Sequence, residues 1–487
     1  MFSTRSFGAA GSCFGNAPGF AQEYSRAGAC DELVVERGDK AWGSSSQNPL
    51  PAVGTSPRMW FVSPTGNDAN PGTIGAPFRT IQRGVDEVAN VGLGGTVYVR
   101  EGIYAEQVVI AASGTPAAEV ILRNYPGEAP RIDGTGVTYT WGGLIQVFEH
   151  DHIIIQGFEI HNSPIAGIRV AHSDHVTVRG NKTWNTVESG VGIWNSTHAQ
   201  VLDNEIRLAV HGGSQECLTI SGVDGFLVSG NYVTEPAEGT NAGIDIKGAS
   251  SNGGVFGNFV DDIPRNGIYL DAYDEELHHV DVVGNVSRHC ANGITLSAEQ
   301  DTGVLHHIRV MNNISYDNYQ AWPGQGHGNG ILLSVLGGGS EHHMYNLWIV
   351  NNTCHGNEEA GIYLRENDDR GATVIRNNIL ADNGAGQILC PDRILHDLSV
   401  DHNLSFGTAG THEVIGSDHL WAEPLFSDGA GADFHLQPAS PAIDAGSAAG
   451  APATDFDDQA RPCGVAVDLG AFERCLRAPP LVMPYRR

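Results

Sequence analysis

The chain has 487 residues, a formal net charge of −29 and 63 glycines, and only 17% of its residues are charged. A surface this acidic repels nucleic acid and anionic membranes, and no apolar run reaches membrane-spanning length. Abundant Gly with few charges fits strands and turns better than a helical bundle. Residues 1–58 are rich in Gly, Ser, Ala and Pro without periodicity and read as an extended or poorly ordered N-terminal segment. The first twenty, "MFSTRSFGAAGSCFGNAPGF", hold no continuous apolar stretch of the signal-peptide kind. Order begins with a strand at Trp60–Ser63. An amphipathic helix follows from about Thr80, with Ile81, Val85 and Val88 on one face, and then "GGTVYVREGIY" (94–104) alternates as a strand.

From about residue 140 one unit repeats. A Gly-Ile strand recurs as "AGIRV" (166–170), "VGIWN" (191–195), "AGIDI" (242–246), "NGIYL" (266–270), "NGITL" (292–296), "NGILL" (329–333) and "AGIYL" (360–364). Between these lies a second strand that ends in Asn, as in "FLVSGN", "VDVVGN" and "IRVMNN". A period of about 25 residues with short strands and no helix predicts a solenoid. The fold class is therefore all-β: a parallel β-helix of about 10 coils over 59–425, capped at its N-terminal end by the helix near residue 80. Each coil sends one Ile and one Leu inward. The Asn suits a left-handed turn and can stack on the Asn of the next coil. Longer spacings at 318–328 and 335–345 mark projecting loops, and residues 426–487 form a C-terminal module and tail.

The segments "FVSPTGNDANPGTIGAPFRTIQ…GGTVYVREGIY" and "DFHLQPASPAIDAG…TDFDDQARP…VDLGAFE" (433–473) resemble terminal modules of the pectate-lyase-like right-handed β-helix superfamily. The resemblance covers about 60–473. It implies a right-handed helix and a carbohydrate-active, secreted or cell-surface protein, whereas the reaction must be argued from the site.

Residues two apart on a strand face one side, so each coil adds two outward rungs. One row runs Trp194, Thr219, Asp245, Tyr269, Thr295, Leu332, Tyr363. The next runs Ser221, Lys247, Asp271, Ser297, Ser334, Arg365. Coils lie about 4.8 Å apart, so Lys247 stands beside Asp271 and Asp245 lies diagonally from it, with Cα atoms about 8 Å apart. That spacing suits the paired carboxylates of a glycosidase. Glu299 follows one coil later and Glu216 one coil earlier. Trp194, Tyr269, Tyr273 and Tyr363 are candidate sugar platforms, and His327 and Arg365 are further candidate substrate contacts. An exposed Asp–Lys–Asp ladder is also what an ordinary surface salt-bridge network looks like.

The setting "GIYLDAY" resembles that of family 120 glycoside hydrolases, which place a catalytic Asp and Glu on successive coils. This implies Asp271 as a catalytic carboxylate with Glu299 as partner and Asp245 as substitute, Lys247 orienting Asp271, and no required cofactor. Glu299 stands later in its coil than the family's Glu. A Ca2+-dependent lyase is the alternative. It resembles polysaccharide lyase family 9, with Lys247 as base and Asp245, Asp271 and Asp274 as metal ligands. That family's double-Asp coil is not reproduced, although Asp261 and Asp262 occupy a turn. A non-catalytic carbohydrate-binding protein is the third reading. The implied partner is a polysaccharide or oligosaccharide.

Three His pairs, 278–279, 306–307 and 342–343, precede the Asn-ended strands of their coils. Stacking and a transition-metal site are both open to them. Asp455, Asp457, Asp468 and Glu473 fit turn capping better than an EF-hand loop. Of eight cysteines, Cys13 with Cys30 and Cys463 with Cys475 are close enough in sequence to pair, and the absence of CxxC spacing argues against zinc.

Overall fold

The computed structural model describes residues 58–475, apart from 93, 140, 213–214, 237–241, 320–326, 336–342, 366–370 and 393–394. The N-terminal segment, Cys13, Cys30, His342 and parts of both projecting loops lie outside the described residues. A first strand, Met59–Val62, precedes helix α1 (Ile81–Val91). Thr80 caps α1, its hydroxyl accepting the Arg83 N–H at 3.2 Å, and Gly92 closes it in the left-handed conformation. Ile81, Val85 and Val88 are buried against the first coil, so α1 covers that end of the core.

The remaining chain winds through three parallel sheets. Sheet 1 has 13 strands from Met59–Val62 to Leu398–Asp401, and sheet 2 has 11 from Val108–Ile110 to Gly386–Leu389. Sheet 3 has 13 from Ile103–Tyr104 to Leu420–Trp421. Every neighbouring pair in them is parallel, and the chain visits sheets 2, 1 and 3 in turn, which is a right-handed parallel β-helix of about eleven coils.

Two rows explain the Gly-Ile repeat. Ile244, Ile268, Ile294, Ile331 and Ile362 stack in register inside sheet 2, all fully buried. The preceding glycines meet the next coil's backbone. A Cβ on Gly267 would lie 2.7 Å from the Gly293 carbonyl oxygen, and one on Gly293 would lie 2.6 Å from that of Gly330. The repeat therefore encodes close approach of main chains, not merely a turn.

The Asn row is a continuous buried ladder through Asn181, Asn204, Asn231, Asn258, Asn285, Asn313, Asn352, Asn378 and Asn403. Each side-chain oxygen accepts both the backbone N–H and the amide N–H of the Asn one coil earlier, as at Asn258–Asn285 (2.9 and 2.9 Å). The left-handed residue is not the ladder Asn but the one before it, as at Gly230, Gly257, Gly284 and Asn312. The expected Asn–Asn stack is present, and the turn conformation belongs to its neighbour.

Beyond sheet 3, an antiparallel pair (Phe426–Asp428 with Asp433–Leu436) and the segment to Cys475 fold back onto the solenoid. Asn312, Asn351 and Asn377 bind backbone carbonyls of that segment. Asp455 accepts the N–H groups of Asp457, Gln459 and Glu473, and Asp468 accepts those of Asp444 and Arg474, so both cap turns. Cys463 and Cys475 form a disulfide. Cys217, Cys290, Cys354 and Cys390 are buried thiols.

Removing one rung of the Asn ladder strands buried donors on both sides. Asn285→Ala is expected to cost about 2–4 kcal/mol, read as a lowered urea midpoint.

Candidate active site

The site is built on the outer face of sheet 2. Its strands are Leu218–Ser221, Ala242–Lys247, Asn266–Ala272 and Asn292–Ala298. Inward Ile and Leu fix the register, which sets Asp245 opposite Tyr269, Lys247 opposite Asp271, and Asp271 opposite Ser297. Short turns after Ala272 and Ala298 carry Tyr273, Asp274 and Glu299.

Four carboxylates and one ammonium meet here. Lys247 leans away from Asp271: its Nζ donates to Glu216 Oε2 at 2.6 Å and lies 3.5 Å from Asp245 Oδ2. Glu216 also accepts from the Thr219 hydroxyl at 3.2 Å, and that hydroxyl lies 2.9 Å from Ser189 Oγ. Asp245 is 1% exposed, and its Oδ1 has no hydrogen-bond partner. Burial, then the Glu216 charge, drive the Asp245 carboxyl well above its ordinary range despite Lys247. Burial opposes the Lys247 ammonium, but Asp245 and Glu216 outweigh it, so its pKa is raised.

Asp271 is half-buried, with Oδ1 unpartnered. Burial, then the Glu299 charge, push its carboxyl up to about 7, with Lys247 opposing. The Tyr269 hydroxyl donates to Glu299 Oε1, and Ser297 Oγ lies 3.5 Å from the same oxygen. Tyr269 itself is held protonated, chiefly by burial and by the Asp271 and Glu299 charges. The site therefore pairs a carboxyl that keeps its proton near neutral pH with a second one fixed by a phenol, the complement that acid catalysis needs.

Several expectations are corrected by this geometry. Lys247 is opposite Asp271 in register, but its contacts within 4 Å are with Glu216 and Asp245. Asp245 and Glu216 are buried, at 1% and 5% exposure, and both contact the Lys247 ammonium. The Tyr269 hydroxyl is engaged with Glu299. Trp194 sits two residues from its expected rung: Ile168 stacks on Val191, so Arg169 faces Gly192 and Trp194 joins the row of Ser221, Lys247 and Asp271. The Trp194 ring folds over Gly192, where a Cβ would lie 2.0 Å from it, and Arg169 stacks on it at 4.3 Å.

Asp274 lies on an exposed turn, and Asp245, Asp271 and Asp274 do not bring three ligand oxygens within 4.8 Å of one another. The acids present therefore do not fit the expected Ca2+ set. Tyr273 is 51% exposed beside Asp271. Tyr363 and Arg365 are half-buried three coils beyond Tyr269 and Asp271, about 14 Å along the solenoid axis. His327 is half-buried. Burial, then the charges of Arg265 and Arg365, lower its pKa. Asp261 pairs with Arg288 and His289, outside the cluster. Thr219 and Ser297 had no signal in the sequence beyond their place on the two rows, and Ser189, which lies before its strand, had none.

The fold is a right-handed parallel β-helix with a cluster of carboxylates on the outer face of one sheet. Two family models match: the Pel9A-like right-handed β-helix region over residues 60–226, and NosD, described as a periplasmic copper-binding protein, over residues 207–394. The uncharacterized protein YwoF of Bacillus subtilis (strain 168) is 27% identical over 453 residues, covering 78% of this chain and 91% of that protein. Pectate lyase PEL9 of Emericella nidulans is 43% identical over 76 residues, 15% of this chain and 18% of that enzyme. The solved complex of XylC with xylose aligns with a TM-score of 0.57 at 11% identity, covering 85% of this chain and 98% of that one, which shows a shared fold. Among the described residues no helix is long and apolar enough to cross a membrane.

The raised Asp271 pKa makes a signed stability prediction. An unfolded Asp loses its proton near its ordinary value of 3.8, while the folded one keeps it until about 7. Between these values the folded state binds more protons, so this group's contribution to stability falls as pH rises through that window. Asp271→Asn is expected to leave stability nearly unchanged at about pH 4 and to raise it by roughly 2 kcal/mol at about pH 8, measured by urea unfolding.

Proposed function

We propose that the protein is a glycoside hydrolase acting on a polysaccharide or oligosaccharide, with Asp271 as general acid and Glu299 as its partner carboxylate. The observation that carries this is the half-buried Asp271 carboxyl, raised to about 7 beside a Glu299 held by Tyr269. Asp271 gives its proton to the glycosidic oxygen as the bond to the anomeric carbon breaks. The Glu299 carboxylate supports the positive charge that develops at that carbon and directs the incoming oxygen. Lys247, held cationic by Glu216 and Asp245, keeps the Asp271 pKa from rising further. Exposed Tyr273 offers a face to a sugar ring. The acidic surface and the Cys463–Cys475 disulfide support an exported location and a neutral glycan.

The Pel9A-like match and the PEL9 segment favour a second reading, a lyase with Lys247 as base. Two observations count against it. The Pel9A-like region ends at residue 226, before Asp245, Lys247, Asp271 and Glu299. A base must be neutral, and the raised pKa of Lys247 favours its charged form.

A glycan panel followed by both reducing ends and unsaturated-uronate absorbance separates the readings. Reducing ends without ultraviolet absorbance are expected, and Asp271→Asn is expected to lower kcat about 10²–10⁴-fold. Absorbance that depends on Lys247 would establish the lyase instead. Binding without cleavage of any glycan, unaltered in Asp271→Asn, would leave a carbohydrate-binding protein.

A further inference from the structure

The corner between sheets 2 and 1 carries a second column of residues. One residue per coil adopts a left-handed conformation there: His152, His175, His198, Gly225, Asn252, His279, His307 and Asn346. Asn and Gly suit this conformation, and His is tolerated in it. Conformation alone therefore does not explain why two consecutive coils place a second His directly before the left-handed one. Those are His278 and His306, paired in register between strands Glu276–Val283 and Val304–Met311.

Stacking explains part of the arrangement. His279 and His307 rings stack at 4.5 Å, His278 on His306 at 5.1 Å, and His306 on Tyr345 at 4.6 Å. It does not explain the nitrogens. His278 Nδ1 faces His279 Nδ1 at 2.7 Å, and His306 Nδ1 faces His307 Nδ1 at 2.5 Å. Two facing lone pairs repel, so each contact needs a cation or a proton between the rings. The far nitrogens are engaged: His306 Nε2 meets Glu276 Oε1 at 2.6 Å, and His307 Nε2 lies 3.2 Å from the Asn346 side-chain amide. A carboxylate accepting from the outer nitrogen, as Glu276 does from His306, with the inner nitrogen directed at a shared point, is how metal-binding imidazoles are held. The Asn346 contact is through Nδ2, and it serves His307 in the same way once the amide is turned so that its oxygen accepts from Nε2–H. One ring nitrogen each of His279, His306 and His307 lie within 4.8 Å of one another. Small ring rotations bring such a set to the separation of about 3.3 Å that tetrahedral Zn–N bonds require.

We infer that His279, His306 and His307, with His278 beside them and Glu276 and Asn346 behind, form a site for a borderline divalent transition ion of the Zn2+ or Cu2+ kind. An all-imidazole donor set suits these ions and not Ca2+ or Mg2+. The ion clamps two successive coils at the corner that follows the strands of Asp271 and Ser297. The other His group, His152, Asp174 and His175, lacks this geometry. Asp174 there saturates the Nδ1 atoms of His175 and His198, each at 2.8 Å, and both rings are largely exposed.

The test uses the full chain, stripped with a chelator and titrated calorimetrically with Zn2+ and, separately, Cu2+. His279→Asn/His307→Asn is the informative variant, because Asn already occupies this column at Asn252 and Asn346 and keeps the corner folded, as circular dichroism would verify. One ion per chain is expected to bind, at least about 100-fold more weakly in the double variant and about 10-fold more weakly in Glu276→Gln, with His175→Asn unaffected. No stoichiometric binding of either ion, or binding that survives the double variant, would overturn the site.

Discussion

The structure depends on one constraint: each coil stacks in parallel register on the next, about 4.8 Å away, so every side chain meets the residue at its own position one coil on. Positions that can satisfy a copy of themselves become rows. Asn does so because its oxygen and amide answer each other, and the ladder from Asn181 to Asn403 closes every buried donor in turn. Ile does so by packing, and Gly by letting carbonyls approach a Cα that carries no side chain. Charge cannot. Like carboxylates on neighbouring rungs repel, and burial makes the repulsion expensive. A cluster such as Glu216, Asp245, Asp271 and Glu299 with one lysine is thus the place where the stacking rule is broken.

The break has a calculable consequence. With all four acids ionised the cluster would carry three uncompensated charges. The molecule responds by withholding protons from solution: Asp245 and Asp271 both titrate above their ordinary range, and Lys247 is held charged. Their roles then divide by access. Asp245, at 1% exposure, is closed off beside Lys247, whereas Asp271 is half-buried and keeps a solvent-facing side. No acid stacks on an acid in register here: Asp245 lies between Thr219 and Tyr269, and Asp271 between Lys247 and Ser297, so the acids act on one another across diagonals and turns.

Much of the fold was legible in the sequence for the same reason. Gly-Ile and terminal Asn recur because each must match its neighbour, and Thr80 announces the capping helix by capping it. The pairing of Lys247 with Asp271 in register could be counted directly from the inward Ile positions. What could not be counted were decisions taken by long side chains or by near-equivalent apolar residues. Val191 and Ile193 both fit an inward slot, and only packing shows that Val191 takes the place under Ile168, which moves Trp194 to another rung. Lys247 could turn to either coil, and its contacts fall on Glu216 and Asp245. Glu299 lies beyond its strand, where no register applies, and a phenol from the previous coil brings it into the site.

The two polar columns show how the same conformation serves different ends. The ladder Asn residues follow left-handed positions filled by Gly, Asp, Asn or His, and there the side chain of the left-handed residue matters little, because the next Asn carries the hydrogen bonds. At the opposite corner the left-handed residue itself faces its copy one coil away. Gly225 and Asn252 meet the conformational demand alone. His279 and His307 meet it and in addition turn nitrogens toward His278 and His306, an arrangement that stacking does not require. A solenoid reports departures of this kind clearly, since the adjacent coils supply the control: the same backbone, in the same register, without the extra histidine.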